Sequence, residues 1–268
     1  CHLEHPPLDS GAPVSIYACL CPAPSPLAPL TLCIPMSLML LSLLSALAWA
    51  AAAAPDLTHV PSPAALPLPK AQSIGFLPRG LTSFGSAVDG AWLYVLGGYY
   101  GRPHEYSIEG QSSAFLRINL LDPRDVRLLG DVEPVQGAEL VAWNGQLIRV
   151  AGMHARNVAG EPARLESSAE VALFDPLAGT WKDLPDLPAP RSSHRAVVVG
   201  DTLHVLGGWT LGAGEGNQKW ARTHLLLDLL DPAAGWLEKD APFQSRAAGA
   251  AVKEGQVILV GRGVQPGG

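Results

Sequence analysis

No cysteine follows Cys33 in this 268-residue chain, and no lysine or arginine precedes Lys70. All four cysteines (Cys1, Cys19, Cys21 and Cys33) lie in the first 35 residues. A disulfide framework or thiol chemistry is therefore excluded from the remainder. Aromatic residues are only 6% of the chain, and the formal net charge is −6. Clustered Lys and Arg are needed to hold phosphates, so nucleic acid is not an expected partner. HExxH, CxxC beyond Cys33 and EF-hand loops are all missing, so no metal or other cofactor is expected. There is no GxSxG elbow to support a Ser-His-Asp triad, and no P-loop or GxGxxG at a strand-to-helix junction. The segment GAGEG at 212–216 resembles such a loop only superficially.

Glycine and proline are plentiful, at 28 and 25 residues. With no long helical periodicity beside them, they point to many turns and many short strands. Residues 1–35 are Pro-rich and aperiodic, and read as disordered upstream translation. Met36 then opens MSLMLLSLLSALAWAAAAAPD. Its apolar run and the small residues around Ala48-Trp49-Ala50 fit a secretory signal over 36–54. The expectation is a secreted or periplasmic protein with no stable membrane span once the signal is removed. Residues 55–77 read as a Pro-rich linker.

From residue 78 the chain repeats. AVDGAWLYVLGGY, VAWNGQLIRVAGM, VVVGDTLHVLGGW and AAVKEGQVILVGRG all pair two apolar runs around a tight turn. The turns are Asp89-Gly90, Asn144-Gly145, Gly200-Asp201 and Glu254-Gly255, dipeptides suited to hairpins because they tolerate positive φ. The second run ends in Gly97-Gly98, Ala151-Gly152, Gly207-Gly208 and Gly261-Arg262, 54, 56 and 54 residues apart. Asp122-Pro123, Asp175-Pro176 and Asp231-Pro232 keep the same step, and Trp181 and Trp236 follow the last two. A period near 50 marks propeller blades. The near-continuous apolar strands require both sheet faces to be covered.

With Pro190-Arg191, His194, Gly207-Gly208, Phe174-Asp175-Pro176 and Trp181, the region 78–263 resembles the kelch-repeat family. That resemblance implies an all-β, kelch-type β-propeller of four-stranded antiparallel blades. The copies span about 78–133, 134–189 and 190–241, with a partial one over 242–268, so the expected structure is a partial ring. Leu128, Ala151 and Arg262 depart from the family pattern. The resemblance implies a protein- or glycan-binding module. It alternatively implies a carbohydrate-active enzyme similar to sialic-acid mutarotases. The copper-oxidase branch needs a Cys cross-linked to Tyr and is disfavoured.

Candidate ligand residues lie in the long loops after each Gly pair, 99–113, 153–168 and 209–223. They are Tyr99, Tyr100, Arg102, His104, His154, Arg156, Asn157, Trp209, Lys219, Trp220 and Arg222. Flat aromatic faces mixed with fixed donors suit sugars or peptides. Arg79, Arg191 and Arg246 recur near the start of each blade and, with His194, are the candidates for a polar central pore.

Overall fold

The computed structural model describes residues 77, 79–102, 105–212, 219–241 and 243–260, and the backbone of two short strands at 16–19 and 265–266. The expected signal at 36–54 and linker residues 55–76 lie outside the described residues, as do His104, Gly261 and Arg262. β1 (Ile16–Cys19), within the segment read as disordered, runs antiparallel to residues 257–260.

Three four-stranded antiparallel sheets follow one another. Blade one holds β2 (Gly85–Asp89), β3 (Trp92–Leu96), β4 (Ala114–Asn119) and β5 (Val126–Asp131). Blade two holds β6 (Glu139–Trp143), β7 (Gln146–Ala155), β8 (Leu165–Asp175) and β9 (Thr180–Leu184). Blade three holds β10 (Ser192–Val199), β11 (Thr202–Thr210), β13 (Thr223–Asp228) and β14 (Trp236–Asp240), with the two-residue β12 (Lys219–Trp220) appended to β11. A fourth unit comprises the hairpin β16 (Gly249–Lys253) and β17 (Gln256–Val260), while β15 (Phe243–Gln244) pairs with β18 (Gln265–Pro266). The first strands of successive units, β2, β6, β10 and β16, lie against one another.

The hairpin turns use the residues that permit a left-handed backbone. Asn144 and Gly145 sit at φ 47° and 74°, Glu254 and Gly255 at 52° and 73°. Two positive φ values in a two-residue loop match the twist of the flanking strands. At the opposite corner, Asp175 Oδ1 accepts from the amides of Leu177 (2.8 Å) and Ala178 (3.1 Å), closing the Asp-Pro turn.

Each sheet is buried on both faces where it has neighbours. Tyr94, Leu96 and Phe115 of blade one pack on Leu140, Leu147 and Phe174 of blade two. Trp181 sits in that interface, its ring 5.3 Å from Phe115 and 5.0 Å from Phe174. Ile148, Val150 and Val171 on the other face of blade two meet Leu203, Val205, Leu225 and Leu227 of blade three. Two tryptophan N–H groups are satisfied across the same boundary. Trp143 Nε1 donates to Asp201 Oδ1 and Trp236 Nε1 to the Pro185 carbonyl, both at 3.0 Å.

The glycine pairs form the joints. Gly97, Gly98, Gly207 and Gly208 all have positive φ, and so do Ala151 (47°) and Gly152 (124°). The second residue of each pair donates its N–H to the first strand's lead-in on the following unit. Gly98 reaches the Val135 carbonyl (2.7 Å), Gly152 that of Arg191 (3.0 Å) and Gly208 that of Ser245 (2.7 Å). A Cβ on Gly97 would lie 2.3 Å from the Val135 carbonyl oxygen, and one on Gly208 2.8 Å from that of Ser192. Neither position has room for a side chain. Ala151 does carry one, and there the amide-to-carbonyl distance is the longest of the three. In blade one β3 stops at the pair as the sequence suggested, but in blades two and three the second strand does not end there. β7 and β11 bend there and run on to Ala155 and Thr210, because pairing resumes with Leu165–Ser168 and with β12.

Candidate functional site

The long loops after the pairs lie on one side of the blades, and the first two are docked on each other. Gln111 exchanges hydrogen bonds with Ala155, accepting its N–H at 2.7 Å and donating to its carbonyl at 3.2 Å. The Ile108 amide donates to the Asn157 carbonyl (2.8 Å), and the Ala159 amide to the Glu109 carboxylate (3.0 Å).

Several sequence-predicted candidates are occupied within this framework. Asn157 is 1% exposed. Its amide donates to the carbonyls of Tyr106 (2.6 Å) and Val158 (3.1 Å), and its oxygen accepts from the Arg164 amide (2.9 Å). His154 is buried with Nδ1 against the Pro134 carbonyl at 2.7 Å. Tyr99 is buried, and its hydroxyl donates to the Glu105 carbonyl. Arg156 lies between Glu133 (3.2 Å) and Glu166 (3.1 Å); the Glu166 hydrogen bond leads the effects that raise its already high pKa. These side chains hold loops in shape.

The remaining candidates are differently placed. Arg102 is largely exposed beside Glu105. Tyr100 donates or accepts a 2.9 Å hydrogen bond with Ser112, and the Arg79 guanidinium lies 4.1 Å over its ring. On blade three, Trp209 and Trp220 are cross-strand partners, and Arg246 lies 3.9 Å over the first ring and 5.5 Å from the second. Lys219 and Arg222 are exposed at the edge of this shelf. Stacked guanidinium and indole groups of this kind are attracted through the ring quadrupole.

The three pore arginines do not occupy equivalent positions. Ser83, Gly137, Ser193 and Ala247 mark one repeated left-handed residue, at φ 54°, 62°, 53° and 50°. Arg79, Arg191 and Arg246 stand four, two and one residues before it. Their side chains consequently diverge. Arg191 is buried and donates to the carbonyls of Thr223 (3.0 Å) and Gly207 (3.4 Å) and to the Thr223 hydroxyl. Burial pushes its pKa down to about 10, against the opposing pull of Glu238. The other two stack on the loop-face aromatics.

His194 is 1% exposed. A backbone group of Val150 is near enough to favour its charged form, but neither ring nitrogen makes a well-formed hydrogen bond. Burial, reinforced by Arg191 and Arg195, pushes the imidazole down to about 3. It is neutral at any ordinary pH, and substrate cannot reach it.

Two features carried no sequence signal. His204 Nδ1 and His224 Nε2 lie 3.0 Å apart, both buried, on β11 and β13. Burial, then His204 and Lys239, lowers His224 to about 4. Second, Arg195 bridges three units, pairing with Glu139 of blade two and donating to the Ala248 carbonyl. Glu139 and Arg195 each stand two residues after the left-handed position, so the repeat itself sets opposite charges side by side. Burial raises the Glu139 pKa and the Arg195 charge partly offsets it. Among the described residues, no three His, Cys, Asp or Glu side chains gather as a metal ion would require.

No family model and no curated protein matches this chain. Among solved structures it is similar to YjhT, with a TM-score of 0.51 at 16% sequence identity over 68% of this chain. The fold is a kelch-like β-propeller. The chain spans 58% of the length of the YjhT structure, and at that identity the likeness concerns fold alone.

Proposed function

We propose that the chain is the binding module of an exported protein, and that its ligand is a glycan held on the loop face of blade three. The observation behind this reading is the shelf of Trp209 and Trp220 capped by Arg246. Indole faces receive the apolar faces of sugar rings, and a guanidinium supplies directional donors. Lys219 and Arg222 beside it add further donors. The buried state of His194 and the internal bonds of Arg191 speak against acid–base chemistry at the pore. The apolar run after Met36 supports export.

The test is a glycan-array and protein-partner screen on the full chain, repeated with Trp220→Ala. A ring stacking contributes ~0.5–1.5 kcal/mol beyond area burial, so a glycan hit should weaken by about two- to tenfold from the stacking alone. Binding that survives Trp220→Ala and Trp209→Ala would remove the shelf from the site. Capture of a protein alone would change the ligand class. Acceleration of anomer exchange in a reducing sugar, followed by NMR, would make the protein a carbohydrate-active enzyme instead.

A further inference from the structure

The repeat assigns one pair of positions to each seam between neighbouring units, and the third seam fills it with histidines. Counted from the hairpin turns, Tyr94 and Phe115, Ile148 and Val171, and His204 and His224 are equivalent. Tyr94 and Phe115 stack at 6.2 Å in the core between blades one and two. Ile148 and Val171 lie in the core between blades two and three. Leu203, Val205 and Leu225 face blade two, so by strand alternation His204 and His224 face the fourth unit. Both are buried, with ring centroids 5.1 Å apart. The fourth unit turns Val257 and Leu259 to them, the counterparts of Leu203 and Val205 in register, and these are buried too.

A hydrogen-bonded imidazole pair suits such a place only while neutral. One added proton puts a charge into an apolar seam, and a second removes the lone pair that the bond needs. Burial leads in holding both rings below the ordinary histidine value, and the charges acting on them, Lys239 on β14 and Arg191 before β10, are themselves positive. Glu238 stands in register with Leu225 and so faces blade two. Asp228, at the exposed end of β13, accepts the Leu230 amide (2.9 Å). On β10, Arg195 is engaged by Glu139 and the Ala248 carbonyl. In the fourth unit Lys253 and Glu254 stand at the hairpin turn, and Arg246 lies over Trp209.

We infer that this seam is a proton-operated latch: protonation of the His204–His224 pair parts the fourth unit from blade three. The contacts released with it are the Gly208 amide on the Ser245 carbonyl, the Ala247 amide on the Ser193 carbonyl and Arg246 over Trp209. Loss of the last opens the indole shelf, whatever that shelf binds. The closed form resists protons that the open form accepts. The latch therefore holds above the ordinary histidine value of ~6.5 and weakens as pH falls below it.

Hydrogen exchange of the full chain, read as protection at single amides, tests this. His224 alone, returning from about 4 to ~6.5 on opening, should cost Gly208 about twentyfold in protection between pH 7 and pH 5. At pH 5 the Gly208 amide should be less protected than those of Gly98 and Gly152, whose seams carry the apolar pairs. His204→Ile with His224→Val, the residues of blade two, should abolish the loss. Lys239→Glu, at an exposed position, should shrink it. Equal protection of the three amides at pH 5 would overturn the inference. So would a loss that persists in the double variant, or one that Lys239→Glu leaves unmoved.

Discussion

Acidification should unfold this protein through His194, and the size of the effect follows from its burial. The ring titrates at about 3 in the folded chain, whereas a solvated histidine titrates near ~6.5. The folded state therefore resists a proton that the unfolded chain accepts. Stability from this source is fully present above the unfolded value, falls as pH drops below it, and is lost entirely once pH passes the folded value. Each pH unit within that window is worth ~1.4 kcal/mol, so the loss is about 2 kcal/mol at pH 5 and about 5 kcal/mol near pH 3. His224, lowered to about 4, steepens the wild-type slope between the two. His194→Ala isolates the first contribution. The same position is Ala138 in blade two and Ala248 in the fourth unit, each one residue after the left-handed marker, so alanine suits the site. Urea unfolding followed by tryptophan fluorescence at pH 7 and pH 5 should show a wild-type loss about 2 kcal/mol larger than that of His194→Ala. Equal losses in the two proteins, or an NMR titration of His194 centred in the normal histidine range, would refute the reasoning.

Gly208→Ala should destabilise by about 3 kcal/mol, since it adds left-handed strain of ~1–2 kcal/mol to a collision with the Ser192 carbonyl; a thermal melt reads this directly. Asn157→Ala should cost about 2–3 kcal/mol by leaving buried backbone groups unpaired, and amide exchange should speed up in both loops 99–113 and 153–168. Ala151→Gly should relax the strained joint without loosening it, so exchange at the Gly152 amide should slow. N-terminal sequencing of secreted material should begin between Ala51 and Asp56, and retention of Met36 would rule out cleavage.

The blade plan was legible because backbone demands recur in sequence. Asn144-Gly145, the glycine pairs and Asp175-Pro176 each answer a local φ or hydrogen-bond requirement, and such requirements survive when side chains change. The candidate site was less legible. Its loops differ in length and settle by packing on one another, so nothing local distinguishes Asn157, a buried bracket, from Trp220, a surface plate. The arginines misled for a related reason. Spacing alone could not reveal that Arg79, Arg191 and Arg246 stand at different distances from the left-handed residue, and one step along a strand turns a side chain to the opposite face. The His204–His224 pair was invisible because the two residues lie twenty positions apart in sequence, on strands that become neighbours only in the sheet.

A joint made of main-chain groups asks almost nothing of the side chains beside it. Valine, arginine and serine fill the accepting position at 135, 191 and 245, and all three present the same oxygen to the preceding unit. Such a connector behaves like a standard thread between otherwise unlike parts. Mutation can rewrite a blade's faces, loops and even charge without changing how it couples to the next, provided the glycine behind the coupling remains. Copies within one chain are then free to drift apart until little but the coupling is shared. The same neutrality makes a blade a portable unit. Exchanging the segment 190–241 for another copy should disturb the apolar faces it meets, while leaving the couplings at either end in register.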